Sequence, residues 1–196
     1  MRELVIATTN QGKLAEIRAA LEGLPFKVLG PGDVGGLPEV IEDGETLLEN
    51  AQKKARSAAA ATGFLALADD TGLEVDALEG APGVYSARYA GEGCSYDDNN
   101  RKLLAELEKA ASKDRKATFR TVMVLAEPKD RLDWVSGSIR GEISRELRGS
   151  QGFGYDPVFW VPEKRKTFAE LSISEKNQVS HRGQALKRIQ TMLLRW

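Results

Sequence analysis

Several things are scarce in this chain, and each scarcity closes off a class of protein. Cys94 is the sole cysteine among 196 residues, so no internal disulfide framework is available. No stretch approaches the about 18 consecutive apolar residues that a membrane-spanning helix needs. Met1-Arg2-Glu3-Leu4 leads straight into a short strand pattern rather than a signal-type apolar region. An excess of one charge is missing too: 28 basic residues face 29 acidic ones for a formal net charge of −1, so no overall field draws the chain to nucleic acid or to an anionic membrane. Any phosphate binding must therefore be local. Lys164-Arg165-Lys166 and the spacing of Arg140, Arg145 and Arg148 read as solvated faces rather than a nucleic-acid stripe. Tandem repeats and low-complexity linkers are absent. A reducing cytoplasm, with no nucleic-acid and no membrane partner, is the expectation.

What is present is a core of ordinary globular quality, 41% hydrophobic, in a length that suits one large domain or two closely joined lobes. We expect residues 1–196 to form a single domain of two lobes with a central cleft. Leu4 to Ala7 reads as a buried strand, and Lys13 to Glu22, with Leu14, Ile17 and Leu21 at helical spacing, as the helix after it. Phe26 to Leu29 suggests a second strand, and Pro31 to Pro38, rich in glycine and proline, a loop. Thr46 to Ala61 has helical composition, with Leu47, Ala51, Lys54, Ala55 and Ala58 near one face. Asp97 to Leu107 reads as a helix opened by acids. Thr118 to Leu125 and Asp133 to Glu142 read as a long antiparallel hairpin about Pro128-Lys129-Asp130, and Arg182 to Leu194 as a closing helix. The fold class is therefore α/β, a mixed twisted sheet flanked by helices.

Four segments bear chemistry. In Phe64 to Gly72 a short apolar run stops on Asp69 and Asp70 and turns at a glycine. Ligands of open α/β sheets bind at the carboxyl ends of such strands. Adjacent carboxylates repel in a poorly solvated cleft, so one takes a raised pKa or a hard divalent cation relieves both. Magnesium is the first reading and a capped turn the second. Thr8-Thr9-Asn10-Gln11-Gly12-Lys13 joins the first strand to the first helix, where backbone N–H groups, hydroxyls, a close-approach glycine and a lysine make a local anion site. It lacks the paired glycines of a Walker motif, and an ordinary capped helix start remains open. Gly152-Phe153-Gly154-Tyr155-Asp156-Pro157 sets an aromatic ring between two glycines ahead of an acid. It reads either as a stacking platform for a planar base, with the carboxylate at the ring edge, or as a hydrophobic plug. Ser180-His181-Arg182-Gly183 adds donors and the sole histidine, whose residue type also suits a surface or capping role.

These segments, with Glu49-Asn50-Ala51, Lys54-Ala55, Gly80-Ala81-Pro82-Gly83 and Tyr85-Ser86-Ala87-Arg88-Tyr89, resemble the inosine/xanthosine triphosphate pyrophosphatases almost end to end and in order. The resemblance implies hydrolysis of inosine, deoxyinosine and xanthosine triphosphates to monophosphate and pyrophosphate, with Mg2+ as cofactor and a homodimer as assembly. By the same likeness, Thr8, Thr9, Asn10, Gln11, Gly12 and Lys13 would hold the triphosphate. Lys54 would reach the phosphates, and Asp69 and Asp70 would serve the metal, Asp70 also as proton acceptor. Thr71 would touch substrate. Phe153 would stack on the base within Phe153, Gly154, Tyr155 and Asp156, while Lys176, His181 and Arg182 would complete base and phosphate contacts. Glu42, among the acids of residues 39–45, is the choice for a further metal ligand. Thr9 and Thr71 stand where glycine and serine are common, and both keep a small hydroxyl-bearing side chain. A triphosphate carries about four negative charges, so attack by water calls for cations beside Lys13 and Lys54, and Asp70 can take the water's proton. Ser86 and Cys94, candidate nucleophiles, have no basic neighbour that spacing reveals. A diphosphatase for other modified bases and a catalytically silent nucleotide-binding module stay open as alternatives.

Overall fold

The structure, a computed structural model, describes residues 2–129 and 131–196. Met1, ahead of the first strand, and Asp130, the last of the expected turn residues, lie outside the described residues. The fold is mixed α/β, with strands in the order β2-β1-β3-β5-β6-β7-β8 and a short β4 (Pro82–Gly83) on β3. The chain divides into two compact units, and β3 (Leu65–Val75), β5 (Lys116–Ala126) and β6 (Leu132–Ile143) contribute residues to both. No helix among the described residues is long and apolar enough to cross a membrane.

The first unit comprises Met1–Asp70, Thr121–Gly137 and Arg182–Trp196. In it β1 (Arg2–Ile6) runs parallel to β2 (Phe26–Leu29), with Leu4 beside Val28, and parallel to β3, with Leu4 beside Leu65. Side chains alternate across a strand, and the two resulting faces bury against different helices. Leu4, Ile6, Leu65, Leu67, Met123 and Leu125 pack with Leu14, Ile17 and Leu21 of α1 (Gln11–Leu21) and with Ala185, Leu186, Ile189 and Leu193 of α5 (His181–Leu193). The intervening residues Ala66, Ala68, Val122, Val124 and Ala126 meet Ala51, Ala55, Ala58 and Ala59 of α2 (Leu47–Thr62). Full burial of one Leu or Ile is worth about 1.5–3 kcal/mol, so the larger side chains make the α1/α5 side the greater source of stability. Alanine against alanine instead lets α2 approach the sheet closely. That helix starts where the Thr46 hydroxyl accepts from the Glu49 amide at 3.2 Å, and ends at Gly63, whose φ of 73° suits a residue without Cβ.

The second unit comprises Thr71–Arg120 and Ser138–His181. There β4 lies antiparallel to β3, β7 (Phe159–Val161) antiparallel to β6, and β8 (Lys166–Thr167) antiparallel to β7. Its core gathers Leu73 and Val75, Leu103 and Leu107 of α3 (Tyr96–Lys109), Phe119, Ile143, Phe159 and Phe168. A seven-residue α4 (Ile173–Val179) follows the Ser172 cap.

Two expectations need correction. The strand carrying the acids does not stop at them: β3 passes through Asp69, Asp70, Thr71 and Gly72 to Val75, because Leu73 and Val75 continue the buried apolar pattern. The expected turn at Gly72 is absent for the same reason. Helix α4 was not anticipated; it is too short to show helical periodicity in sequence, although Ser172 and Glu175 form a capping box.

Candidate active site

Strand alternation decides how the adjacent acids act. Successive side chains leave a strand on opposite faces, so Asp69 follows Leu65 and Leu67 toward α1 and α5, and Asp70 follows Ala66 and Ala68 toward α2. Each acid finds its own cations there. Asp69 Oδ2 accepts from Arg182 Nη2 at 2.9 Å and Nε at 3.3 Å, and pairs with Lys13 Nζ at 3.1 Å. The other edge of the Arg182 guanidinium donates from Nη1 to Glu16 Oε2 at 2.8 Å, with Arg182 1% and Glu16 3% exposed. Burial alone would raise the Asp69 carboxyl, but Lys13 and Arg182 overcome it and hold the group far below the ordinary carboxylate range. Asp69 is therefore held as an anion at neutral pH, oriented by Arg182 and Lys13.

On the α2 side Lys54 Nζ donates to Asp70 Oδ1 at 3.0 Å and to Glu42 Oε2 at 2.9 Å. Two carboxylates thus share one ammonium. Burial raises the Asp70 carboxyl and outweighs Lys54 and Lys13, while Asp70 and Glu42 raise Lys54 against the lowering effect of burial. A carboxylate with raised proton affinity is the stronger general base. Its backbone is anchored, since the Thr121 hydroxyl donates to the Asp70 carbonyl at 2.9 Å. Besides the pairing of Glu42 with Lys54, three further contacts tie the loop bearing Glu42 to α2. Gly44 N–H donates to Asn50 Oδ1 at 2.8 Å, Glu45 N–H donates to Glu49 Oε2 at 2.7 Å, and Asp43 pairs with Lys53.

The Thr8–Lys13 segment is a capped helix start whose lysine reaches an acid. Asn10 Oδ1 accepts from the Lys13 amide at 3.0 Å and Thr8 Oγ1 from the Asn10 amide at 3.2 Å. Gln11 Nε2 leans on the Thr9 carbonyl at 3.5 Å, and Gly12 lies in the first turn of α1. Burial lowers the Lys13 ammonium and the nearby Asp69 only partly offsets this.

Among the described residues, no group of three or more His, Cys, Asp or Glu side chains is arranged to hold a metal ion. Magnesium, however, commonly takes one or two carboxylates together with substrate phosphates and water. Glu42 and Asp70, whose oxygens already converge on one cationic nitrogen, fit that need. The Asp69 oxygen Oδ2 is committed to Arg182 and Lys13.

In the second unit, Asp156 Oδ2 accepts from the Phe153 amide at 2.9 Å and from Lys176 Nζ, on α4, at 2.6 Å. The Lys176 ammonium also lies 4.7 Å from the Phe153 ring centroid. Gly154 follows Phe153 with φ 62°, and Thr71 opens this unit's share of β3. The His181 ring is buried and stacks on Phe119 at 4.6 Å and 13°. Tyr155, expected at the base, is a core residue whose hydroxyl donates to the Ser86 carbonyl at 2.9 Å. Ser86 Oγ accepts from Leu73 N–H and donates to the Gly83 carbonyl, so its hydroxyl serves the fold. Arg182, also expected at the base, sits between Asp69 and Glu16. Glu16 was not anticipated, and Asn50 entered only as part of Glu49-Asn50-Ala51, with no role given to it. Glu16 left a faint signal, an acid lodged within the buried run Leu14, Ile17 and Leu21.

A profile of the Ham1 family matches residues 4–192. The chain belongs to the Ham1 family. Among its Ham1-family relatives, the protein named dITP/XTP pyrophosphatase of Desulforamulus reducens is 53% identical over 193 residues, 98% of this chain and 96% of that one. Its namesake in Geobacter sulfurreducens is 55% identical over 186 residues, 95% and 94% of the two chains. The solved structure of a HAM1 protein from Coxiella burnetii superimposes with a TM-score of 0.90 at 45% identity, covering 100% of both chains. The Ham1 protein of Staphylococcus aureus gives a TM-score of 0.85 at 42% identity, covering 98% of each.

Proposed function

We propose that this chain hydrolyses non-standard purine nucleoside triphosphates, inosine, deoxyinosine and xanthosine triphosphates, to the monophosphate and pyrophosphate. The names of relatives at 53% and 55% identity over nearly their whole length support the substrate class. The observation that carries the chemistry is the convergence of two carboxylates, Asp70 at 3.0 Å and Glu42 at 2.9 Å, on the Lys54 ammonium.

In this reading Lys13 and Lys54 offset the charge of the triphosphate, and Thr8, Thr9, Asn10, Gln11 and Gly12 place the start of α1 against it. Asp70 takes the proton of the attacking water once that water sits within about 3 Å. Asp69 keeps Lys13 in place and is itself kept ionised by Arg182. Glu42 and Asp70 would hold Mg2+, which when bound neutralises charge on the phosphoryl oxygens. Thr71 touches substrate beside Asp70. Phe153 offers the stacking surface for the base, and Asp156, Lys176 and His181 attend its edge. Arg182 acts through Asp69 rather than at the base. A homodimer working in the cytoplasm completes the proposal.

The test is to supply inosine, xanthosine, guanosine and adenosine triphosphates with Mg2+, and to measure monophosphate and pyrophosphate together. Equal molar release of both from the inosine and xanthosine substrates is expected, with adenosine triphosphate at least ~10² poorer in kcat/KM, since a mismatched base edge leaves buried donors unpaired. Release of orthophosphate with a nucleoside diphosphate, or equal use of all four, would overturn the reading.

A further inference from the structure

Phe153 stands between two glycines in the left-handed region, φ 77° at Gly152 and 62° at Gly154. A ring on such a backbone is loosely aimed unless something outside the loop fixes it, and ordering it on binding would weaken any ligand. One side of the loop is fixed by Asp156 and Lys176. The other side is held by a helix that has no place in the chemistry described so far. Tyr96 and Asn100 lie four residues apart, hence on one face at the start of α3. The Tyr96 ring packs on Phe153 with centroids 6.3 Å apart at 43°. Asn100 is buried and donates its amide to the Gly154 carbonyl at 2.9 Å. The helix start is itself rigid, because Ser95 and Asp98 close a reciprocal capping box. Tyr96 remains 48% exposed, so core packing alone does not account for an aromatic residue there.

We propose that Tyr96 and Asn100 are positioning residues of the base site, a splint on α3 that aims Phe153 at the purine. The proposal rests on the reading of Phe153 as the base-stacking surface. Tyr96 is the better probe, because truncating a half-exposed ring leaves the core intact. Tyr96→Ala weakens binding of inosine monophosphate in calorimetry, and raises KM for inosine triphosphate, by roughly 2- to 12-fold, the range of one aromatic pair. Inhibition by inorganic tripolyphosphate, which has no base, stays unchanged, as does kcat. Tyr96→Phe keeps the ring and restores binding.

Phe153→Ala serves as the control. If it weakens inosine monophosphate while Tyr96→Ala does not, the splint is wrong and the base site stands. If Phe153→Ala itself has no effect, the base-site reading falls and the splint falls with it. Equal weakening of inosine monophosphate and tripolyphosphate in Tyr96→Ala would mark a general loss of structure and overturn the proposal.

Discussion

Replacing Arg182 by Ala tests the buried charge cluster of the first unit. The guanidinium bridges Glu16 at 2.8 Å and Asp69 at 2.9 Å, with all three groups almost wholly buried. Removing one partner of a buried pair costs about 3–5 kcal/mol, because a charge is left without its counterion. For a chain of this length each kcal/mol moves Tm by about 2–4 °C, so Arg182→Ala lowers Tm by about 6–20 °C at neutral pH. The pH dependence carries a sign. In the wild type the folded-state pKa of Asp69 lies far below the ordinary 3.8, so its stabilising contribution is complete above that value and is lost progressively as pH falls below it toward the folded-state pKa. In the variant, Asp69 keeps Lys13 but loses the guanidinium it shared with Glu16, so its carboxyl is protonated more readily than in the wild type. The Tm gap between the two proteins therefore narrows as pH falls from neutrality through the carboxylate range. Thermal melts followed by far-ultraviolet circular dichroism across that interval read both effects. Arg182→Lys keeps the charge but not the fork that reaches two carboxylates, and melts between the two. A drop under ~2 °C at neutral pH, or a gap that widens on acidification, would refute the structural role of Arg182.

Asp70→Asn keeps its Tm within a few degrees but lowers kcat for pyrophosphate release by at least ~10², and full turnover by that variant would remove Asp70 from the mechanism. Lys13→Ala and Lys54→Ala lower kcat/KM for inosine and xanthosine triphosphates alike; a change of base preference in either, read from the same substrate panel, would move that lysine off the phosphates. Gly152→Ala drives a Cβ into Asp156 Oδ2 on a backbone with φ 77°. It should displace the carboxylate that holds Phe153 and Lys176, weakening inosine monophosphate in calorimetry while tripolyphosphate inhibition persists.

The helices of the first unit are legible because their apolar spacing is matched by packing. Leu14, Ile17 and Leu21 are buried on α1 as their spacing requires, and Ala51, Ala55 and Ala58 line the buried face of α2. Phe26–Leu29 is a strand with the expected bounds. The elements that escape reading are short and non-periodic. Strands β4 and β8 have two residues each and exist through pairing with β3 and β7, a long-range fact that local sequence does not contain. Tyr155 escapes for a different reason: an aromatic beside a flexible glycine suits a base platform and a core equally, and the carbonyl of Ser86, 69 residues away, decides.

The adjacent acids are neighbours in sequence but not in environment. Two carboxylates in sequence suggest mutual repulsion, met either by a raised pKa on one or by a divalent cation that relieves both, and the pair does lie in buried surroundings beside Lys13, Lys54 and Arg182. Strand geometry then separates what sequence joins. Because β3 continues through the pair, Asp69 and Asp70 point to opposite faces, and each meets a different helix: Lys13 of α1 with Arg182 of α5 on one side, Lys54 of α2 on the other. The two carboxyls consequently acquire opposite shifts, Asp69 down and Asp70 up. One is held as an anion at neutral pH and the other is able to accept a proton. A one-residue slip of β3 would exchange the roles, since it moves every side chain of the strand to the other face. The register of Leu65 against Leu4 and of Leu67 against Ile6 on β1 thus fixes which acid meets which cations, and the apolar residues that secure it matter to the proposed site as much as the acids do.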